Sequence, residues 1–237
     1  MNESMADWRN RHLEAMTRAQ DSSGLFAVVT RAARELGFDY CAYGMRMPLP
    51  LSNPSTVMLN NYPVAWQARY AEQGYLARDP TVQHGIASLL PVVWSEAVFA
   101  EARPLWEDAR GHGLQVGWAQ ASRTADGSVG MLTLARSQDA LFDAELGQSE
   151  ANMSWLAHAA HQGLVRLARP AGAAIALSAR EAEVLRWMAD GKTSGEAGII
   201  LSVSERTVNF HVANALLKLG AANKTGAVVK AALLGLL

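Results

Sequence analysis

Between Ser23 and Leu36 the apolar residues Leu25, Val28, Val29, Ala32 and Leu36 recur at offsets of 3, 4, 7 and 11 from the first. That spacing puts them on one face and predicts an amphipathic helix. The pattern then changes. Phe38–Met47 and Thr56–Leu59 are rich in aromatic and apolar residues and bounded by turn formers, so they read as strands. Val116–Arg123 and Ser128–Ser137 flank Thr124-Ala125-Asp126-Gly127, and an Asp-Gly pair between two strand-like runs signals a hairpin. Trp66, Tyr70, Trp106 and Trp155 lie in helical patterns, with Tyr62, Trp66 and Tyr70 four apart on one expected helix face and Trp155 within a helix expected over Ala140–Gly163. The order helix, strands, helices, hairpin, helix predicts an α+β domain in which an antiparallel sheet is sandwiched by helices.

Pro170 and Gly172 stop that last helix, and small residues follow. A linker is therefore expected over 166–175, between a domain at 1–165 and one at 176–237. The second domain reads as four helices. Ser178-Ala179-Arg180-Glu181 is a capping box, in which the Ser hydroxyl takes a free N–H and the Glu reaches back. Gly191 ends that helix. A short helix follows at Ser194–Leu201, then a turn at Ser202-Val203. Ser204 caps a third helix running to about Leu219, and a fourth fits Thr225–Leu234. Two helices joined by a short turn make a helix-turn-helix.

The third of these helices has an unusual outer face. Val208, Val212, Ala215 and Leu219 form its buried stripe. Opposite lie Arg206, Asn209, Phe210, Ala213 and Leu217, with no acid after Glu205. Such a face suits the major groove: amides pair bidentately with adenine, Arg pairs with guanine, and apolar groups touch thymine methyls. Lys192, Thr193, Lys218 and Lys224 surround it and are placed to reach phosphates. A solvated bundle face would use similar residues, so the pattern alone leaves both readings open.

Charge sharpens the division into two domains. The 237 residues carry 21 basic and 22 acidic side chains, a net −1. All four lysines fall after residue 191, and residues 170–237 hold seven basic and five acidic groups. A phosphoacceptor receiver domain needs a lysine at its acidic site, and residues 1–191 have none. Half of the residues are hydrophobic and 18% are charged, which excludes a disordered chain. One cysteine, Cys41, makes no internal disulfide. No basic-then-apolar leader opens the chain and no apolar run approaches a membrane span, so a cytoplasmic protein without a membrane partner is expected.

Enzyme motifs are missing or broken. No His-Glu-x-x-His or Gly-x-Ser-x-Gly run occurs, and the six histidines have no ligand spacing. Gly191-Lys192-Thr193 ends like a P-loop, but Arg186 stands where the first glycine belongs. Gly111, Gly113 and Gly117 miss the dinucleotide pattern, because Val116 occupies the third glycine position. The chain is expected to be no enzyme and to need neither metal nor cofactor.

Two stretches resemble known families. Leu177–Leu185, Gly191-Lys192-Thr193, Ile200–Ser204, Thr207-Val208, His211, Asn214, Lys218-Leu219 and Asn223-Lys224 are similar to the LuxR-type DNA-binding domain over nearly all of 176–237. The resemblance implies that Asn209, Phe210 and Ala213 contact bases, with Arg206 close by. It also puts Lys192, Thr193, Ser204, Thr207, Lys218 and Lys224 in the DNA-facing set. Gly195 and Gly198 depart from it, since a helix there favours other residues. Upstream, Asn61–Tyr70, Arg78-Asp79-Pro80-Thr81, Pro91–Trp94 and Gly113–Gly117 resemble, in this order, the acyl-homoserine-lactone-binding domain of quorum-sensing regulators over about 20–165. That resemblance implies Trp66 on the lactone carbonyl, Asp79 on the amide N–H and Tyr62 on the amide carbonyl. Thr133 then lies near the amide, and Tyr70 and Trp94 wall the ligand. Ala42, Gly44, Val82 and Met131 are expected to set the pocket's volume. The stretches Phe38–Cys41, Met47–Pro50 and Ser204–Val212 are most similar to receptors that work beside a lactone synthase.

These resemblances imply a regulator that binds an N-acyl-homoserine lactone. As a homodimer it would bind a palindromic promoter element with half-sites about one helical turn apart, with RNA polymerase as a further partner. The alternative they leave is a regulator of the same type that works without ligand or is inhibited by it.

Overall fold

The computed structural model describes residues 4–50, 52–137, 143–168 and 175–237. They form two compact units, the larger holding residues 4–47, 54–124, 128–137 and 143–168 and the smaller residues 175–237 together with 48–50, 52–53 and 125–127. Most of the expected linker, residues 169–174, lies outside the described residues. Its first three residues are helical: Leu167 and Ala168 pack against the larger unit's core, and Arg166 donates to the carbonyls of Met16 and Ala19.

In the larger unit come α1 (Met5–Arg18), α2 (Ser22–Glu35), β1 (Tyr40–Arg46), β2 (Thr56–Asn60), α3 (Val64–Glu72), α4 (Pro80–Ala87), β3 (Val92–Val93), α5 (Arg103–Gly111), β4 (Val116–Arg123), β5 (Val129–Arg136) and α6 (Asp143–Ala168). The strands make one antiparallel sheet in the order β2-β1-β5-β4-β3. The predicted hairpin is β4–β5: the Thr124 N–H donates to the Ser128 carbonyl at 3.0 Å, and Gly127 takes φ +80°. The register sets which side chains face which way. On β1, Cys41, Tyr43 and Met45 enter a core shared with α1, α2 and α6, while Ala42 and Gly44 point to the opposite face. Helices α3, α4 and α5 belong to that second face.

Helix α1 went unpredicted. Its inward positions are Trp8, His12 and Met16, and a histidine in the stripe hides the period. Polar bonds complete its docking on α2. The Trp8 indole N–H donates to Glu35 at 2.7 Å, His12 Nε2 lies 2.8 Å from the same carboxylate, and Arg11 pairs with it at 2.9 Å.

The smaller unit holds α7 (Ala179–Ala189), α8 (Ser194–Leu201), α9 (Glu205–Leu219) and α10 (Lys224–Leu233). The expected capping box at Ser178 is present, and a second joins Thr193 to Glu196. Val208, Val212, Ala215 and Leu219 are buried as the stripe predicted. Gly198 has a packing reason: a Cβ there would stand 2.8 Å from the Val203 carbonyl oxygen in the turn. Gly195 has none, with nothing nearer than 3.7 Å to its Cβ position.

Candidate ligand cavity and DNA-reading face

A cavity of about 470 Å³ opens between the sheet and α3, α4 and α5. That is the size of a small-molecule site. Tyr62, Trp66, Tyr70, Asp79, Trp94 and Thr133 all line it. Each arrives by a different local device. Tyr62 does not share a helix face with Trp66 and Tyr70, because Pro63 caps α3 and leaves Tyr62 in the preceding loop. Trp66 and Tyr70 are one turn apart on α3. Asp79 is the N-cap of α4, with Pro80 in the first turn. Trp94 follows β3, and its ring lies on Gly117 so closely that a Cβ at 117 would sit 2.3 Å from it. The glycine that spoiled a dinucleotide pattern thus seats an aromatic wall. Thr133 comes from β5, beside Ala42 in the β1–β5 register.

The cavity lining holds a polar cluster around Asp79. Asp79 Oδ2 accepts from the Tyr70 hydroxyl at 2.9 Å, and Oδ1 accepts from the Thr81 N–H at 2.9 Å and its hydroxyl at 2.7 Å. An ionised carboxylate has about four acceptor sites, so one remains for a ligand N–H. Burial, and for Tyr70 the adjacent Asp79, pushes the Tyr62 and Tyr70 phenols well above the usual tyrosine range. Both keep their protons at neutral pH, and the Tyr70 proton goes to Asp79. Trp66 is buried with its ring centroid 5.6 Å from Tyr70, 5.5 Å from His112 and 6.1 Å from Tyr75. Behind it, Asp108 accepts from Tyr75 at 2.6 Å and Arg69 at 2.7 Å, and these bonds hold its carboxyl below the usual range. The indole N–H of Trp94 is buried without a protein acceptor among the described residues.

Ala42, Gly44, Val82 and Met131 add apolar wall to the same cavity, and Gly44 sits in register between Met58 on β2 and Met131 on β5. A Cβ at Gly44 would meet nothing within 4 Å. Sequence reasoning missed Met58, Asn60, Gln67, Phe99 and Leu105, which also line the cavity. Strand alternation marks Met58 and Asn60 as sharing a face, but only the register puts that face beside Gly44.

In the smaller unit, Arg206, Asn209, Phe210, Ala213 and Leu217 are exposed on α9, with Phe210 62% and Leu217 84% accessible. Lys192 and Arg206 are exposed and make no ion pair among the described residues. Other members of the expected DNA-facing set are engaged within the domain. Thr193 and Ser204 cap α8 and α9, and Thr207 bonds to Ser204 through its N–H and hydroxyl. Lys218 donates to the buried Glu181 at 2.7 Å, and that bond helps to lower the Glu181 carboxyl against its burial. Lys224 bonds to Ser194 and Asn209. Spacings of 30 and 37 residues hide these pairings in the sequence.

Among the described residues no helix is long and apolar enough to cross a membrane. Residues 21–164 match the autoinducer binding domain, and residues 176–231 match the luxR family of bacterial regulatory proteins. The chain is 48% identical to the transcriptional activator protein AnoR of Acinetobacter nosocomialis, across 98% of this chain and 100% of AnoR. It is 41% identical to the HTH-type quorum-sensing regulator RhlR of Pseudomonas aeruginosa, across 97% and 96%. The crystal structure of Escherichia coli SdiA superposes with a TM-score of 0.80 at 34% identity, covering 98% of this chain and 99% of that one.

Proposed function

Since the chain belongs to the luxR family of bacterial regulatory proteins, with an autoinducer-binding domain ahead of its helix-turn-helix, we propose that its signal is an N-acyl-homoserine lactone. We propose further that it binds a palindromic promoter element as a dimer. It performs no catalysis. The observation that carries the reading is a cavity in which the hydrogen-bonded cluster of Asp79, Tyr70 and Thr81 is set among mostly apolar and aromatic walls. A lactone head with an amide needs acceptors and donors side by side, and an acyl tail needs an apolar wall. Trp66 donates its indole N–H to the ring carbonyl, Asp79 uses its spare acceptor site on the amide N–H, and Tyr62 donates to the amide carbonyl. Thr133 stands beside them, and Tyr70 and Trp94 close the walls.

The ligand fills space that the protein leaves open, so it stabilises the folded state in proportion to its occupancy. It thereby favours the form competent for DNA. Arg206, Asn209, Phe210 and Ala213 then read base edges, and Lys192 meets phosphate.

Thermal melting of the full chain against acyl-homoserine lactones of graded chain length tests the ligand class. The melting temperature should rise with at least one of them, and Trp66→Phe and Asp79→Asn should each reduce the rise. No shift at any chain length contradicts the reading. A full shift in both variants contradicts the residue assignment instead.

A further inference from the structure

Asn209 has an oxygen with no acceptor capacity left. Its Oδ1 receives the Ser194 hydroxyl at 2.8 Å and the Lys224 ammonium at 3.2 Å, and the ammonium also reaches the Ser194 oxygen at 2.7 Å. A side-chain amide oxygen has two lone pairs, and both are taken. Lysine donates and never accepts, so the oxygen must be the atom turned inward. Ser194 is 5% exposed and belongs to α8, which fixes the clamp to the scaffold. The amide nitrogen is left, with no protein partner among the described residues, on an exposed residue of α9.

We propose that Lys224 and Ser194 are positioning residues that turn Asn209 into a donor-only reader of DNA. The bidentate adenine contact requires an amide that accepts from N6 and donates to N7 at once. A clamped Asn209 is unable to accept. It favours a base edge that offers acceptors without an opposing amino group, the O6 and N7 of guanine or the O4 of thymine, over adenine, whose N7 acceptor lies beside the N6 amino group. It disfavours the N6 amino group of adenine and the N4 amino group of cytosine, which would face it donor to donor. This rests on the reading of α9 as the helix that enters the major groove. It changes that reading in two respects: the amide favours guanine or thymine over adenine, and one lysine expected on phosphate instead orients a base-reading side chain.

The experiment is selection of duplexes from a random-sequence pool by the full lactone-loaded chain, followed by base counting at each position. In the wild type, one position per half-site should favour guanine or thymine over adenine by about tenfold. Asn209→Ala should flatten that position, which identifies it. Ser194→Ala combined with Lys224→Met frees the oxygen and should admit adenine there while leaving the other positions unchanged. Lys224→Arg keeps a donor and should retain the wild-type preference. Loss of affinity spread evenly over all positions, or an unchanged position in the double variant, overturns the clamp. A wild-type preference for adenine there overturns it as well. If Asn209→Ala alters no position, the reading of α9 fails first, and the clamp falls with it.

Discussion

Asp79 combines two duties in one side chain. As N-cap it satisfies the Thr81 N–H, and as a cavity wall it takes the Tyr70 hydroxyl and keeps a free acceptor site. The duties separate by mutation. Asn caps a helix as well as Asp, so Asp79→Asn should leave the ligand-free melting temperature nearly unchanged. It removes a charge-assisted bond to the ligand, worth about 1.5–3 kcal/mol, so lactone affinity should fall about tenfold or more. Isothermal titration with the preferred lactone checks this, and equal affinity in both proteins would refute it. Gly44 gives the complementary test on the apolar wall, where its missing side chain leaves open space beside Met58 and Met131. Gly44→Val should weaken long-chain lactones more than short ones in the same titration, because the added methyls enter open space in the cavity. A uniform loss would place the tail elsewhere. These residues were named through the resemblance to the lactone-binding domain, by motif position, and the structure places them on one cavity. The bonds of Lys218 and Lys224 were not legible in the sequence, because they join residues that only the folded chain brings together.

At the scale of elements, periodicity served where one face is uniformly apolar and failed where polar groups complete the packing. Helix α2 and the hairpin follow from their patterns, whereas α1 depends on Glu35. Burial opposes ionisation of that carboxyl, yet bonds from Arg11, His12 and Trp8 prevail and hold it at about 2 against an ordinary 4.5. A group held down in this way adds stability above its unfolded value, and that stability is lost as pH falls through the folded one. The gap in melting temperature between wild type and Glu35→Gln should therefore be present above pH 4.5 and shrink towards pH 2. A gap independent of pH would show that the carboxylate's charge is irrelevant to α1. Helix α8 offers a paired test. Gly195→Ala should stabilise the protein by about 0.5 kcal/mol, since the helix gains a better former into open space. Gly198→Ala should destabilise it, since its Cβ meets the Val203 carbonyl. Denaturant unfolding gives both signs.

For the whole molecule, the net charge of −1 averages an acidic sensor unit and a mildly basic reader. The presence of two domains was legible in that asymmetry. The work done by each cation was not. Lys192 is exposed, while Lys218 is tied to Glu181. Lys192→Ala should reduce the slope of log affinity against log salt by about 1, the signature of one lost phosphate contact. Lys218→Ala should lower the melting temperature and leave that slope unchanged. The central claim joins the two units: a lactone held in the sensor governs a reader of DNA. It is tested most directly by mass spectrometry of the small molecules released from the full chain after expression in cells supplied with a lactone mixture. One N-acyl-homoserine lactone per chain, enriched for a single acyl length, is the expected result. Chain recovered folded and bound to DNA with no lactone in the extract would contradict it.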